Sequence, residues 1–224
     1  MYINIHTHHP TKSIHIKEVV NMDASSIYHK QEPTLLHSTG LHPWHINQSS
    51  KELLNSIKPH ENLLAIGECG LDKLRGPDLS IQKEVFIAQI ELSEHLCLPL
   101  IIHCVKAYSE IIQLRKDLHP SQPWIFHGFN ASKETMEQAL KHGFYFSVGA
   151  SLLKKHSKVL QSLPFIPHNR LFLETDDNPQ LRIESIYEKA SNVLNLELIQ
   201  LQEIIQDNFK YLFNVDTRIH QSIK

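Results

Sequence analysis

Four imidazoles and two carboxylates of this 224-residue chain share one kind of address, the end of a short apolar run. His6 and His8 are two apart at the end of the first such run, and alternation along a strand turns both to the same face. Glu68 closes Leu64-Ala65-Ile66-Gly67, His103 closes Leu100-Ile101-Ile102, and His127 closes Trp124-Ile125-Phe126. Asp176 follows Leu171-Phe172-Leu173-Glu174-Thr175. Imidazole nitrogen and carboxylate oxygen are the donors of divalent transition-metal sites. The set is too large for one ion with an open position and fits two ions sharing a bridge, a device that makes water a nucleophile near neutral pH. Singly, each residue has an ordinary explanation: Asp176 could cap a helix, Glu68 could pair with an arginine, and His103 and His127 could be satisfied core histidines. Together they require every ordinary explanation to hold independently, and the metal site is the simpler account.

Strands must deliver these groups. Apolar, β-branched runs are expected as strands over Tyr2–Ile5, Ile14–Val20, Thr34–Gly40, Leu63–Gly67, Leu100–His103, Trp124–His127, Phe144–Val148 and Leu171–Glu174. Their nearly continuous hydrophobicity suits strands covered on both faces. Helical spacing separates the later ones. Ser80 is expected to cap a helix whose inward face is Ile81, Val85, Ala88, Leu92 and Leu96, ended by Pro99. Ser132 is expected to open another with Gly143 after its last turn, and two more are expected over Ile183–Leu194 and Leu196–Phe213. Strand-then-helix repetition predicts an α/β fold, a (β/α)8 TIM-type barrel whose C-terminal rim gathers the six groups. Only a short segment around Pro10–Ser13 separates the first two strands, so the barrel is expected to be distorted or incomplete there, with the second strand antiparallel or outside it.

Composition sets the limits. Hydrophobic residues are 41% and charged residues 21%, enough for one core, and residues 1–224 are expected to form a single domain. Lys and Arg total 22 against 24 Asp and Glu, which excludes a globally basic nucleic-acid coat. Histidine stands out at 17 residues. Three scattered cysteines suit a reducing compartment, the N-terminal residues do not read as a signal peptide, and no membrane span is expected. A cytoplasmic location is the expectation, and no protein partner is implied.

The six residues lie in phrases that resemble the TatD family of metal-dependent deoxyribonucleases. The phrases are HTHH at 6–9, TGLHP at 39–43, IGECGLD at 66–72, PLIIH at 99–103, FHGF at 126–129, GFYFSVG at 143–149 and ETD at 174–176. Gln82, Phe86, Gln89 and Leu92 match the family's helix before PLIIH, and Asn208 and Phe213 match its C-terminal pattern. The resemblance implies that His6, His8, Glu68 and Asp176 hold one divalent ion and that Glu68, His103 and His127 hold a second, with Glu68 bridging. It implies catalytic roles for Glu68 and for Asp176, which would orient the water and take its proton. It implies hydrolysis of phosphodiester bonds in DNA. Four imidazoles favour zinc, while the carboxylates also accept Mg or Mn.

The chain departs from the family pattern in four places. Asn4 stands where an acidic residue is usual, no arginine follows PLIIH, the N-terminal region is shortened, and Asp177-Asn178-Pro179 replaces a long arginine-bearing loop. Candidate substrate contacts are therefore His42, in TGLHP, and Lys106, with Lys73 and Arg75 as further cations near strand ends. The alternative is a hydrolase of the same architecture that cleaves an amide or ester of a small molecule. A third possibility, a barrel that keeps metals only for stability and acts as a binding module, fits poorly with ligands intact at every position.

Overall fold

In the computed structural model residues 1–11, 13–24 and 34–214 are described. Eight strands run in chain order around one sheet: β1 Tyr2–Thr7, β2 Ile16–Asp23, β3 His37–Gly40, β4 Leu63–Asp72, β5 Leu100–Val105, β6 Trp124–Phe126, β7 Tyr145–Val148 and β8 Leu171–Leu173. Every neighbouring pair is parallel. An isolated parallel bridge between Thr7 and Asp176 brings the chain after β8 back against β1, with Asp176 N–H donating to the His6 carbonyl at 3.1 Å. The result is a nearly closed barrel. Its register shifts fall between Asn4 and Thr7, between His37 and Ser38, and between Ile66 and Cys69. The irregularity expected at the N-terminal strands is thus present, and the third shift straddles Glu68.

The second strand corrects the sequence-based expectation. β2 is parallel to β1, with Tyr2 opposite Ile16 and Thr7 opposite Val20. The returning segment, residues 8–15, contains no helix among its described residues. A helical crossover needs a dozen or more residues, but an extended chain covers ~3.3 Å per residue and can retrace a short strand in fewer. Glu18 secures the return: its Oε2 accepts the Thr11 N–H at 2.7 Å and the Thr11 hydroxyl at 3.0 Å. The Tyr2 N–H donates to the His15 carbonyl at 3.0 Å.

β4 also outruns its expected end at Gly67 and continues to Asp72, buried throughout. Two glycines allow this. A Cβ on Gly70, at φ +136°, would lie 2.1 Å from the His103 carbonyl oxygen, and one on Gly67 would lie 2.5 Å from that of Ile101. Gly70→Ala is expected to destabilise the fold by ~2 kcal/mol or more, since both the backbone angle and the space refuse a side chain. A denaturant midpoint within error of the parent would contradict this.

The helices are α1 Ser50–Ser56, α2 Leu79–Leu96, α3 Tyr108–Leu118, α4 Lys133–Lys141, α5 Val159–Ser162, α6 Ile183–Leu194 and α7 Leu198–Phe213. The Ser132 hydroxyl caps α4 by accepting from Thr135 N–H, and Gly143 follows at φ +77°. α2 differs from its expected inward face. Asp78, not Ser80, precedes its first residue, and Ile81 is exposed, whereas Gln82, Phe86, Gln89 and Ile90 are buried. The two glutamines turn inward because each satisfies loop backbone. Gln89 receives the Leu41 N–H and donates to the Leu41 carbonyl. Gln82 receives the Asp72 N–H and donates to the carbonyls of Asp72, Arg75 and Pro77. These bonds fix the two loops that leave β3 and β4 on the rim. Among the described residues no helix is long and apolar enough to cross a membrane.

Candidate metal centre

Glu68 is the hub. Its Oε2 lies 3.4 Å from Nε2 of both His6 and His8, and its Oε1 lies 2.8 Å from His103 Nδ1, 2.8 Å from His127 Nε2 and 3.2 Å from His42 Nε2. Asp176 Oδ1 stands 3.4 Å from His6 Nε2 and 3.8 Å from His8 Nε2. One carboxylate therefore faces two imidazoles on one side and three on the other. Three overlapping groups have ligand atoms close enough to hold an ion: His6, His8, Glu68 and Asp176; His42, Glu68 and His103; and His127, Glu174 and Asp176.

The backbone explains the convergence. Alternation on β1 sends His6 into the barrel and His8 to its mouth on the same side. Glu68 enters from mid-β4, its N–H held by Asn21 Oδ1 at 2.9 Å. Asp176 adopts φ +55°, a left-handed conformation that aspartate tolerates better than most residues. Asn4, which replaces the usual acid, is buried and structural: it donates to Thr175 Oγ1 and accepts from Thr175 N–H, joining β1 to the segment that carries Asp176.

The charges are those of a cage built for cations. Burial pushes the Glu68 carboxyl up, but His127, His103 and His42 outweigh it and hold Glu68 well below the usual carboxylate range. Burial and the neighbouring His127 push His6 down, yet Asp176 and Glu68 raise it to about 9. Burial also disfavours a charged His127, and Glu68 and Glu174 still hold it well above the ordinary imidazole value. Asp176 is lowered by His6 and His127 against the effect of burial. His42, for which burial prevails over the neighbouring Glu68, is lowered. The elevated imidazoles supply positive charge that a divalent ion would supply instead, displacing their protons on binding. Nδ1 of the wholly buried His6 has no hydrogen-bond partner, its Nε2 meets the two carboxylates only at 3.4 Å and out of hydrogen-bond alignment, and buried Glu174 Oε2 has no partner. Donor chemistry and these orphaned atoms fit a metal ion.

A cavity of about 370 Å³ opens over the hub, with Asn21, Asp23, Trp44, His45 and Asp177 among its walls. The structure brings His6, His8, Glu68, His103, His127 and Asp176 together and adds His42. It does not bring Lys106, which is exposed on the turn after β5, at φ +58°, and does not line the cavity. β5 runs past His103 to Val105, and that extension carries Lys106 away. Lys73 is engaged by Glu110. His9 pairs with Asp177 at 2.7 Å outside the hub. Cys69 is core, as alternation predicts, and burial raises its thiol.

Sequence reasoning passed over four residues. Glu174 faces His127 Nδ1 at 3.4 Å and accepts the Gly128 N–H at 2.6 Å. Asp72 Oδ2 lies 3.3 Å from His103 Nε2 and accepts the Trp44 indole N–H at 2.7 Å. Asn21 holds Glu68. Glu174 and Asp72 both sit inside phrases already singled out, ETD and IGECGLD, and an acid beside a histidine ligand is the usual device for fixing imidazole orientation. Asn21 and Trp44 carried no such signal.

A parallel eight-stranded barrel whose rim gathers imidazoles and carboxylates around a shared glutamate is the build of a metal-dependent hydrolase. The chain belongs to the TatD-related DNase family, which it matches over residues 11–214. It is 26% identical over 212 residues to the metal-dependent hydrolase YcfH of Escherichia coli, covering 87% of this chain and 79% of that one. It is 32% identical over 155 residues to the 3′–5′ ssDNA/RNA exonuclease TatD of Erwinia tasmaniensis, covering 66% of this chain and 60% of that one. Its fold matches the crystal structure of YJJV, a TatD homolog from Escherichia coli, with a TM-score of 0.80 at 21% identity, covering 96% and 98% of the two chains.

Proposed function

We propose that this chain, as one catalytic domain over residues 1–224, hydrolyses phosphodiester bonds in DNA, acting in the cytoplasm with two divalent ions. The observation that carries it is the division of the Glu68 carboxylate, with His6 and His8 at one oxygen and His103, His127 and His42 at the other. His6, His8, Glu68 and Asp176 would hold one ion, and Glu68, His103 and His127 the other. Bound there, the ions would lower the pKa of water and neutralise phosphate charge. Asp176, ionised at neutral pH and half-exposed, would orient the attacking water and accept its proton at Oδ2, leaving Oδ1 toward His6. Glu174 and Asp72 would keep His127 and His103 oriented. Three free cysteines, Cys69, Cys97 and Cys104, are compatible with a reducing compartment.

Zinc is the ion expected to copurify, with Mn or Mg able to support turnover. EDTA treatment is expected to reduce hydrolysis of single-stranded DNA to the uncatalysed background, and added Zn, Mn or Mg to restore it. Elemental analysis should find about two ions per chain before treatment. A rate indifferent to EDTA would remove metal catalysis from the account.

The second reading is hydrolysis of an amide or ester in a small molecule. The cavity wall favours it in one respect, since no lysine or arginine lines it among the described residues. A panel of single-stranded DNA, a chromogenic phosphodiester and simple amides separates the two.

A further inference from the structure

Trp44 is the exposed aromatic of the cavity wall, 41% accessible in a chain whose other tryptophan, Trp124, is wholly buried. Its indole is anchored rather than loose. The ring N–H donates to Asp72 Oδ2 at 2.7 Å, and Asp72 is itself pinned by the N–H groups of Leu74 and Arg75. His42 meets the indole edge-on at 4.6 Å between ring centroids, and His103 at 5.9 Å. Both imidazoles reach Glu68, so the indole stands one side chain away from the hub. The Arg75 guanidinium lies over the indole, 4.7 Å from a ring centroid, and has no ion pair among the described residues.

We propose that Trp44 and Arg75 form a nucleobase-stacking subsite: the indole receives the base attached to the phosphate at the hub, and Arg75 meets an adjoining phosphate oxygen. The assignment rests on the phosphodiester reading above and names what that substrate must carry. A rigid, part-exposed indole is a sequence-tolerant surface for any base, because every base has a π face. Arginine stacks on aromatics while its outward N–H groups remain free for phosphate, and an exposed one shifts at little cost. Among the described residues the cavity wall carries no lysine or arginine, and Arg75 stands beside it over Trp44. Stacking therefore replaces part of the phosphate contact that the missing arginine loop would have supplied.

The test compares a thymidine oligonucleotide with an abasic deoxyribose-phosphate chain of equal length, on the metal-loaded enzyme. The wild type is expected to prefer the base-bearing chain in kcat/KM by about 5- to 150-fold, the range measured for base–aromatic stacking. Trp44→Leu is expected to bring that ratio close to unity. Equal losses on both substrates, preserving the ratio, would overturn the subsite and reduce Trp44 to a prop for Asp72, and so would no loss on either. Tryptophan emission supplies a readout independent of turnover. Since Trp124 is sequestered, saturable quenching by the thymidine chain and none by the abasic chain is expected. Absence of quenching by the thymidine chain overturns the proposal. Quenching without any cleavage would uphold the subsite while refuting DNA hydrolysis, so the two failures are distinguishable.

Discussion

Asp176→Ala is expected to lower kcat on single-stranded DNA by about 10²- to 10⁴-fold, the usual contribution of a positioned acid–base group. The effect falls on kcat because Asp176 acts on the water, whereas contacts to the substrate come from elsewhere on the rim. Stability should change little. Its backbone accepts from His8 N–H and donates to the His6 carbonyl whatever the side chain, and the side chain is 43% exposed, so truncation opens no core cavity. The loss of its carboxylate beside His6 and at the proposed first ion is read by metal content. The left-handed φ of +55° adds a cost of ~1 kcal/mol for alanine, and Asp176→Asn avoids it. Steady-state rates and thermal melts of both variants check the claim. Wild-type turnover in either would remove Asp176 from the chemistry.

The convergence of the rim was legible because it depends on rules that act along the chain. Alternation put His6 and His8 on one side, and apolar runs ending in a polar residue marked Glu68, His103 and His127. What escaped depends on contacts between distant segments. The parallel course of β2 follows from a short return, without helix among its described residues, that Glu18 pins at Thr11, and a crossover rule based on helices cannot see it. Gln82 and Gln89 match the family's helix but fall outside the apolar face expected for α2, and they turn inward because Gln82 satisfies the loop after β4 and Gln89 the loop after β3. Lys106 is only three residues past His103, but two further residues of strand and a left-handed turn send it outward. Asp72 and Glu174 matter only through histidines on other strands. Sequence order identified the groups at the rim; the neighbours that orient them came from packing.

Glu68→Gln is expected to have the largest effect of any single substitution, with kcat/KM reduced by ~10⁴-fold or more, because it removes the one group common to both proposed ion sites. The amide is nearly the same size, so the barrel should still close. What changes is charge and donor type. Glutamine keeps one acceptor but turns an NH2 toward imidazole nitrogens that now face an anion. Metal content should fall from about two ions per chain to less than one. Thermal melts separate this from misfolding. A ligand that binds only the folded state stabilises it by RT ln(1 + [L]/Kd), ~4 kcal/mol at a thousandfold excess over Kd. Added zinc should therefore raise the wild-type Tm by several degrees over its own metal-free form and leave that of Glu68→Gln nearly unmoved from its own, although the metal-free variant should melt lower than metal-free wild type because buried His6 and His127 lose their carboxylate partner. A zinc-induced rise of equal size in the variant would mean that the ions, if bound, are held without Glu68, and the bridged pair would have to be abandoned.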